Sequence, residues 1–463
     1  MKTDDDTDGV ISQFSRDILH DEKRYVTKLP FRRDHEAIPD NFSTCLKRLD
    51  SLQKRLDRQQ ISNDYNEIFV DYERNGIVER VPEAEIAKEK GTVHYLPHRP
   101  VVREDKSTTK IRAVFDASCS VNGVSLNDCL YPGPNLLVKI FDILLRFRLN
   151  KIAILADIKQ AFLNISIHPE HRDFVRFLWR NQTNGKIDVY RFNTVVFGLT
   201  SSPFLLNDTI RKHWEQYLND NRAFVKKFLE DLYIDDTTSG CEDVDEGKYF
   251  YNTSTKIMKD AGLWLRKWTS NNSEPQNFFD SEEPSIKSSV EDDMSFAQSQ
   301  FPQSVDSCKR VLGIEWDLKS DKFIFRFDDF LKKGREMKLT KRSILSLSAS
   351  VYDPLGFVYP ITAHVKTVFQ LICKEKGSWD DKVSLDISKV WFEFLDALEN
   401  LKVLEVDRFC FVSNANEVKS VELHGFSDSS NVVYCAVVYL RVVFENCIPV
   451  SYTHLTLPTI YSV

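Results

Sequence analysis

Lys151-Ile-Ala-Ile-Leu-Ala-Asp157 is a short, apolar, β-prone run that ends on a carboxylate, and Leu232-Tyr-Ile-Asp235-Asp236 repeats the pattern with two carboxylates side by side. Acids carried at neighbouring strand ends converge without a deep pocket. Three of them supply the hard oxygen ligands that hold two divalent cations about 3.5–4 Å apart, one activating an attacking oxygen and one stabilising a leaving oxygen at phosphorus. The two runs together point to nucleotidyl transfer.

Outward from Asp157, Leu136 to Phe147 reads as a buried helix and Lys151 to Ile158 as a core strand. Asp173 to Arg180 and Lys186 to Asn193 read as strands joined around Asn184-Gly185, a strong hairpin signal. Ser201-Ser202-Pro203 then offers a cap and a first-turn proline to a helix carrying Trp214 and Leu218. This order predicts an α+β domain, an antiparallel sheet backed by helices. Upstream, Leu46, Leu49, Leu52 and Leu56 form a helical stripe after Asp40 and Asn41, and Tyr65, Ile68, Phe69 and Tyr72 form a second that ends at Gly76. Val93 to Ser118 reads as a hairpin whose polar loop, Glu104 to Thr109, can move. Downstream, Val311 to Trp316 and Phe323 to Phe327 read as one hairpin, Lys341 to Lys374 and Ser388 to Leu401 as helices, and Leu423 to Val443 as a strand-rich restart.

A chain of 463 residues exceeds what one hydrophobic core supports, so two to four domains are expected. Its 42% hydrophobic and 28% charged residues are ordinary for a soluble globular protein. There is no apolar run of about 18 residues, and the acidic start is unlike a signal peptide. A soluble intracellular protein without membrane contact is the expectation. Nine cysteines scattered singly, with no Cys-x-x-Cys, argue against a disulfide framework or a zinc site. A net charge of −7 does not advertise nucleic-acid binding, which draws on Lys and Arg. Arg146, Arg148 and Lys151, then Arg172, Arg176 and Arg180, bracket the first acidic run and are the local basic track that nucleic acid would need; the plain alternative is a set of solvated faces.

Asp157 with Phe162, Phe197-Gly198-Leu199 with Ser202-Pro203, Tyr233-Ile-Asp235-Asp236, Gly262-Leu263 to Lys267, and Leu312-Gly313 stand in the order of the reverse transcriptase core motifs. The wording around them, Tyr95-Leu-Pro-His-Arg-Pro-Val-Val-Arg103, Arg112-Ala-Val-Phe-Asp-Ala-Ser118 and Tyr352-Asp-Pro-Leu-Gly356, resembles the BEL/Pao class of LTR retrotransposon polyprotein from about Arg24 to Leu440. The resemblance implies a reverse transcriptase fingers-palm-thumb fold with an antiparallel palm sheet, a helical connection and the start of an RNase H-like domain. Its divisions are a helical lead-in and the start of the fingers over 1–90, fingers and palm over 91–269, a mobile acidic and polar insertion over 270–304, a primer-grip-like hairpin over 305–335, thumb and connection helices over 336–420, and a truncated RNase H-like start over 421–450.

The roles implied by the resemblance fall on particular residues. Asp157, Asp235, Asp236 and the Ile158 carbonyl would hold two Mg²⁺, with Mn²⁺ as the alternative ion. Arg112 would clamp the triphosphate, with Lys110 favoured over Lys106 as its companion. Phe162 would lie under the sugar and favour dNTP over rNTP, beside Phe197, where retroviral enzymes commonly carry Gln; Gly198 would let backbone approach the nucleotide, and Tyr233 would flank it. Lys267 would protonate the leaving pyrophosphate, and Leu312-Gly313 would grip the primer end. Asp428 matches the first carboxylate of an RNase H-like site whose remaining acids are not in the sequence, so RNA cleavage is not expected. The stretch 451–463 resembles read-through of a sequencing adapter. The expected partners are an RNA or DNA template with primer, dNTPs, and protease and integrase segments of the same polyprotein, in cytoplasm or virus-like particles. The competing expectation is an inactive remnant that at most binds nucleic acid.

Overall fold

The computed structural model describes residues 14, 16–33, 35, 37–88, 91–102, 111–182, 184–283, 308–411, 418–430, 434–444 and 451–456. Leu19–His20 (β1) pairs with Tyr25–Thr27 (β2), and two helices follow, Phe42–Gln59 (α1) and Ser62–Arg74 (α2). The leucine stripe is buried at Leu49, Leu52 and Leu56 of α1, and α2 buries Tyr65, Ile68 and Phe69. Gly76, at positive φ, turns the chain after α2 into Val78–Arg80 (β3).

His98–Val102 (β4) and Ile111–Phe115 (β5) form the expected antiparallel hairpin; its loop, with Lys106 and Lys110, lies outside the described residues. His98 is packed among the rings of Tyr65, Phe69, Phe115, Phe177 and Trp179 at 5.2–5.8 Å. Its Nε2 donates to the Leu178 carbonyl and its Nδ1 accepts from the Tyr65 hydroxyl, which fixes a neutral tautomer. Burial pushes His98 down to about 4, and does the same to His94. On unfolding both imidazoles regain a value near 6.5 and take up protons below it, so their contribution is complete above pH 6.5 and is lost as pH falls toward 4. The urea midpoint should therefore fall between pH 6.5 and 5, above the range where most carboxylates titrate; a midpoint that stays level over that window would contradict the assignment.

The helix ahead of the central strand is Ile140–Phe147 (α3), shorter than expected because the Leu136 carbonyl accepts from Arg211 instead of starting a helical ladder. Ile152–Ile158 (β6) is buried at six of its seven positions. Ser166–Ile167 (β7) pairs with β2, and Arg176–Arg180 (β8) with Ile187–Phe192 (β9) makes the predicted hairpin; Asp173 to Val175 belong to a 3₁₀ turn started by Pro169, not to the strand. Ser202–Glu215 (α4) and Leu218–Glu230 (α5) are separate helices, so Leu218 opens the second one. Leu232–Tyr233 (β10), Asp236–Cys241 (β11), Val244–Asp260 (α6) and Leu265–Ser270 (β12) complete a sheet of order β10-β11-β6-β12.

Ser273–Glu282 (α7) corrects the polar insertion expected from residue 270. Asn272 caps it, and Phe279 is wholly buried against Tyr251 and Trp268, so two apolar residues outweigh a polar composition. Residues 284–304 of that stretch lie outside the described residues. Cys308–Val311 (β13), Ile314–Asp317 (β14) and Lys322–Arg326 (β15) make two hairpins where one was expected. Leu312 and Gly313 form a two-residue turn, both at positive φ, a conformation that Leu adopts only under constraint from its neighbours. Asp328–Glu336 (α8), Lys341–Ala349 (α9), Tyr359–Lys374 (α10) and Leu385–Leu398 (α11) pack beside the sheet that Val403–Asp407 (β16) completes. The single long helix expected over 341–374 breaks at Pro354, where the Asp353 carboxylate accepts from the Phe357 and Val358 N–H groups at 3.0 and 2.7 Å and starts α10.

Val418–Ser429 (β17), Tyr434–Phe444 (β18) and Ser451–Thr456 (β19) form a last antiparallel sheet, so part of the stretch read as adapter sequence pairs with β18. One large core joins the first two-thirds of the chain and a second joins α3 to β13–β16 and α8–α11, with Tyr233 packed on both. The described cysteines are mostly buried. No described helix is long and apolar enough to cross a membrane.

Candidate active site

Because β6 lies between β11 and β12, Asp157 at its end meets Asp236 on one side and Arg266 on the other. Directly opposed residues of an antiparallel pair carry their Cβ atoms about 4.5–5.5 Å apart on one face. Tyr233 opposes Asp236, which leaves Ile234 and Asp235 as the two-residue turn of the β10–β11 hairpin. The Ile158 N–H donates to the Asp235 carbonyl at 2.8 Å and ties that turn to β6. Ile234 holds φ 55°, a costly state for a β-branched residue, and its side chain is buried. Strain of this kind fixes where the adjacent acids stand.

Asp157, Asp235 and Asp236 are 2, 3 and 6% exposed. Buried carboxylates require compensating charge. For Asp157 it comes from Arg266, whose Nε donates to Oδ1 at 2.9 Å, and from Lys267, whose Nζ lies 3.6 Å from Oδ2. Lys267 sits at φ 56° where the β12 register shifts between Arg266 and Thr269, and such a bulge re-aims a side chain. Arg266 went unnoticed in the sequence, since only the β12–β6 register, not a motif, brings it there. Glu283 follows α7 near the same site; burial raises its carboxyl, and the Asp157 charge adds to the shift.

Among the described residues, no three His, Cys, Asp or Glu side chains form a ready-made metal cage. The donor set nevertheless suits a hard divalent cation: carboxylates from adjacent strand ends, two of them directly opposed, with cations standing against Asp157.

The remaining predicted residues are spread around this sheet. Phe162 is buried and its edge is covered by Phe197 at 4.7 Å, so Phe197 is the more accessible ring of the pair. Gly198 has φ +104°, and a Cβ there would lie 2.5 Å from the Phe115 carbonyl oxygen. Its glycine is thus required by the chain's own β5 backbone, beyond any space left for a nucleotide. Gly198→Ala should cost about 1–3 kcal/mol in a urea melt and shift the β5 strand with it; an unchanged midpoint would show that the contact yields freely. Arg112 stands opposite Val101 on the outward face of the β4–β5 hairpin. Leu312 and Gly313 cap the β13–β14 hairpin over the second core, and Asp428 lies exposed near the end of β17. Of the arginines expected to form a basic track, Arg176 and Arg148 are buried, bonding Asp173 and the Arg408 carbonyl, while the half-buried Arg146 and Arg180 pair with Asp231 and Asp50.

Residues 340–455 match the family described as the Pao retrotransposon-like RNaseH-like domain. That quarter of the chain is similar to a Pao-type retroelement polyprotein segment. The Pao match starts at α9, so it takes in helices α9–α11 as well as the last sheet, and it runs into β19. No curated protein matches the chain. Its fold is that of the foamy viral protease-reverse transcriptase in complex with an RNA/DNA hybrid, at 12% identity and a TM-score of 0.50, over 98% of this chain and 52% of that one. The same viral protein in complex with dsDNA matches at 13% identity and TM-score 0.50, over 96% of this chain and 75% of the other. The chain thus spans about half the length of the first of these structures.

Proposed function

We propose that this chain is the RNA-directed DNA polymerase portion of the polyprotein, adding dNTPs to a primer 3′-hydroxyl. The observation that carries the reading is the register that sets Asp157 directly opposite Asp236 beside the Ile234-Asp235 turn. In this reading the β10-β11-β6-β12 sheet is the palm, the β4–β5 hairpin belongs to the fingers, the β13–β14 hairpin grips the primer, and α8–α11 form thumb and connection. The foamy viral proteins of similar fold hold an RNA/DNA hybrid or dsDNA, which supports a nucleic-acid partner here.

Asp157, Asp235, Asp236 and the Ile158 carbonyl would hold two Mg²⁺, which when bound supply charge neutralisation at the phosphates and acidify the 3′-hydroxyl. The protein's own contribution is positioning and electrostatics. Arg112 offers a planar fork to the triphosphate. Lys267, beside Asp157, is placed to hand a proton to departing pyrophosphate. Arg266 holds the Asp157 carboxylate in place from the β12 side. Phe197 over Phe162 forms an aromatic floor against a 2′-hydroxyl.

The test is primer extension by the full chain on RNA and DNA templates with Mg²⁺ or Mn²⁺, expecting dNTP incorporation and little from rNTPs. The Asp157–Arg266 pair favours a second reading, a remnant with its acid neutralised. Failure to extend with either ion at any concentration would select it.

A further inference from the structure

A cleft of about 760 Å³ lies between α1 and the β4–β5 hairpin, outside the machinery assigned to polymerisation. Lys47, Arg48 and Arg55 of α1 form one wall and Arg99 of β4 the other, over an apolar floor that includes Leu52 and Val114. Lys47, Ser51 and Arg55 recur every four residues, so they align along one side of the helix over about 12 Å. Arg48 is engaged by Asp116 at 2.8 Å, whereas Lys47, Arg55 and Arg99 are exposed and make no ion pair among the described residues. In a chain of net charge −7, three uncompensated cations facing one concavity select a polyanion. Arginines that the sequence set around the acidic run are bonded within the fold; this exposed set is elsewhere.

Two features indicate a strand more than a single phosphate. The cations span two helical turns on one wall and face Arg99 on the other. Beyond the cleft, Arg99 opposes Val114 and Arg112 opposes Val101, which puts Arg99 and Arg112 on the same outward face of the hairpin. An apolar floor between charged walls is what unpaired bases need, because every base presents a face that stacks on apolar surface.

We infer that this cleft binds the phosphodiester backbone of a single nucleic-acid strand, with Lys47, Arg55 and Arg99 on its phosphates. The choice of polyanion rests on the polymerase reading, so the test uses neither metal nor dNTP. Fluorescence anisotropy of a labelled oligonucleotide of about 12 nucleotides is measured on the full chain across a salt series. Lys47→Ala, Arg55→Ala and Arg99→Ala combined should weaken binding at least tenfold at low salt. They should also flatten the slope of log K against log salt by about 2, since each single-strand phosphate contact contributes about 0.7. The charge-conserving triple, Lys47→Arg, Arg55→Lys and Arg99→Lys, should retain both. All these side chains are exposed, and a melt matching the parent's confirms that the fold is kept. Equal affinity and equal slope in the alanine triple and the parent would overturn the inference, as would an equal loss for blunt duplex. If the parent binds strand through this cleft but extends no primer, the polymerase reading fails and the cleft assignment stands.

Discussion

Asp157→Asn should abolish primer extension, by a factor of about 10³ or more, which corresponds to at least about 4 kcal/mol of transition-state stabilisation. Asp236→Asn should do the same, because the two acids oppose each other in register and a neutral amide cannot replace a carboxylate as a ligand to a hard cation. The fold should survive the change at Asp157. Removing the acid leaves Arg266 and Lys267 with side chains 18 and 35% exposed, so both can turn to water instead of remaining as stranded buried charges. Asp231 provides the contrast. It is as deeply buried, one residue before β10, yet its carboxylate is engaged by the Ser239 hydroxyl at 2.6 Å and by Arg146 at 3.1 Å, on the sheet's structural side. Asp231→Asn should therefore lower the unfolding midpoint while leaving extension by the folded fraction within a few-fold of the parent. Extension within tenfold of the parent for Asp157→Asn, or equal losses at Asp157 and Asp231, would remove the basis of the polymerase reading.

Much of this site could be read in the sequence because its signals are local. A β-prone run that ends on a carboxylate marks a strand end whatever surrounds it, and the antiparallel pairing of β6 with β11 then brings the acids together. The partners that act across sheets could not be read. Arg266 is 109 residues from Asp157 and belongs to no motif, and only the β12 register makes it the ion-pair partner. Residue pattern alone ran Leu312-Gly313 into a strand, and only the resemblance put a hairpin there, because Leu at positive φ is an unfavourable turn residue, held by burial in the second core. The helix at Ser273–Glu282 escaped because Phe279 anchors it against Trp268, a contact that polar composition hides. The basic cleft escaped for a related reason: Arg99 and Lys47 are unremarkable in their own segments and meet only when α1 packs beside the hairpin.

Arg408→Ala should produce the largest loss of stability, about 3–5 kcal/mol, the range for stripping one partner from a buried charged network. Arg408 is wholly buried just beyond β16. Its guanidinium forks onto the Asp321 carboxylate at 2.7 and 2.8 Å, while its remaining N–H groups reach the carbonyls of Phe147, Asn150 and Lys151. Phe147 ends α3, Asn150 and Lys151 lie in the turn between α3 and β6, and Asp321 belongs to the turn between β14 and β15. One side chain thus joins the strand that carries Asp157 to the sheet of the second core. Truncation leaves the carbonyls without their donor in a largely buried turn, while Arg148 keeps its bond to the Arg408 carbonyl at 3.1 Å, which the substitution leaves in place. Arg408→Lys keeps the charge but cannot reproduce a planar fork that serves a carboxylate and three carbonyls at once, so most of the loss should persist. Urea unfolding followed by hydrogen exchange tests this at both ends of the link: amides of β6 and of β15 should both exchange faster in either variant. Faster exchange confined to β15, or a midpoint equal to the parent's, would show that the two cores hold together without Arg408.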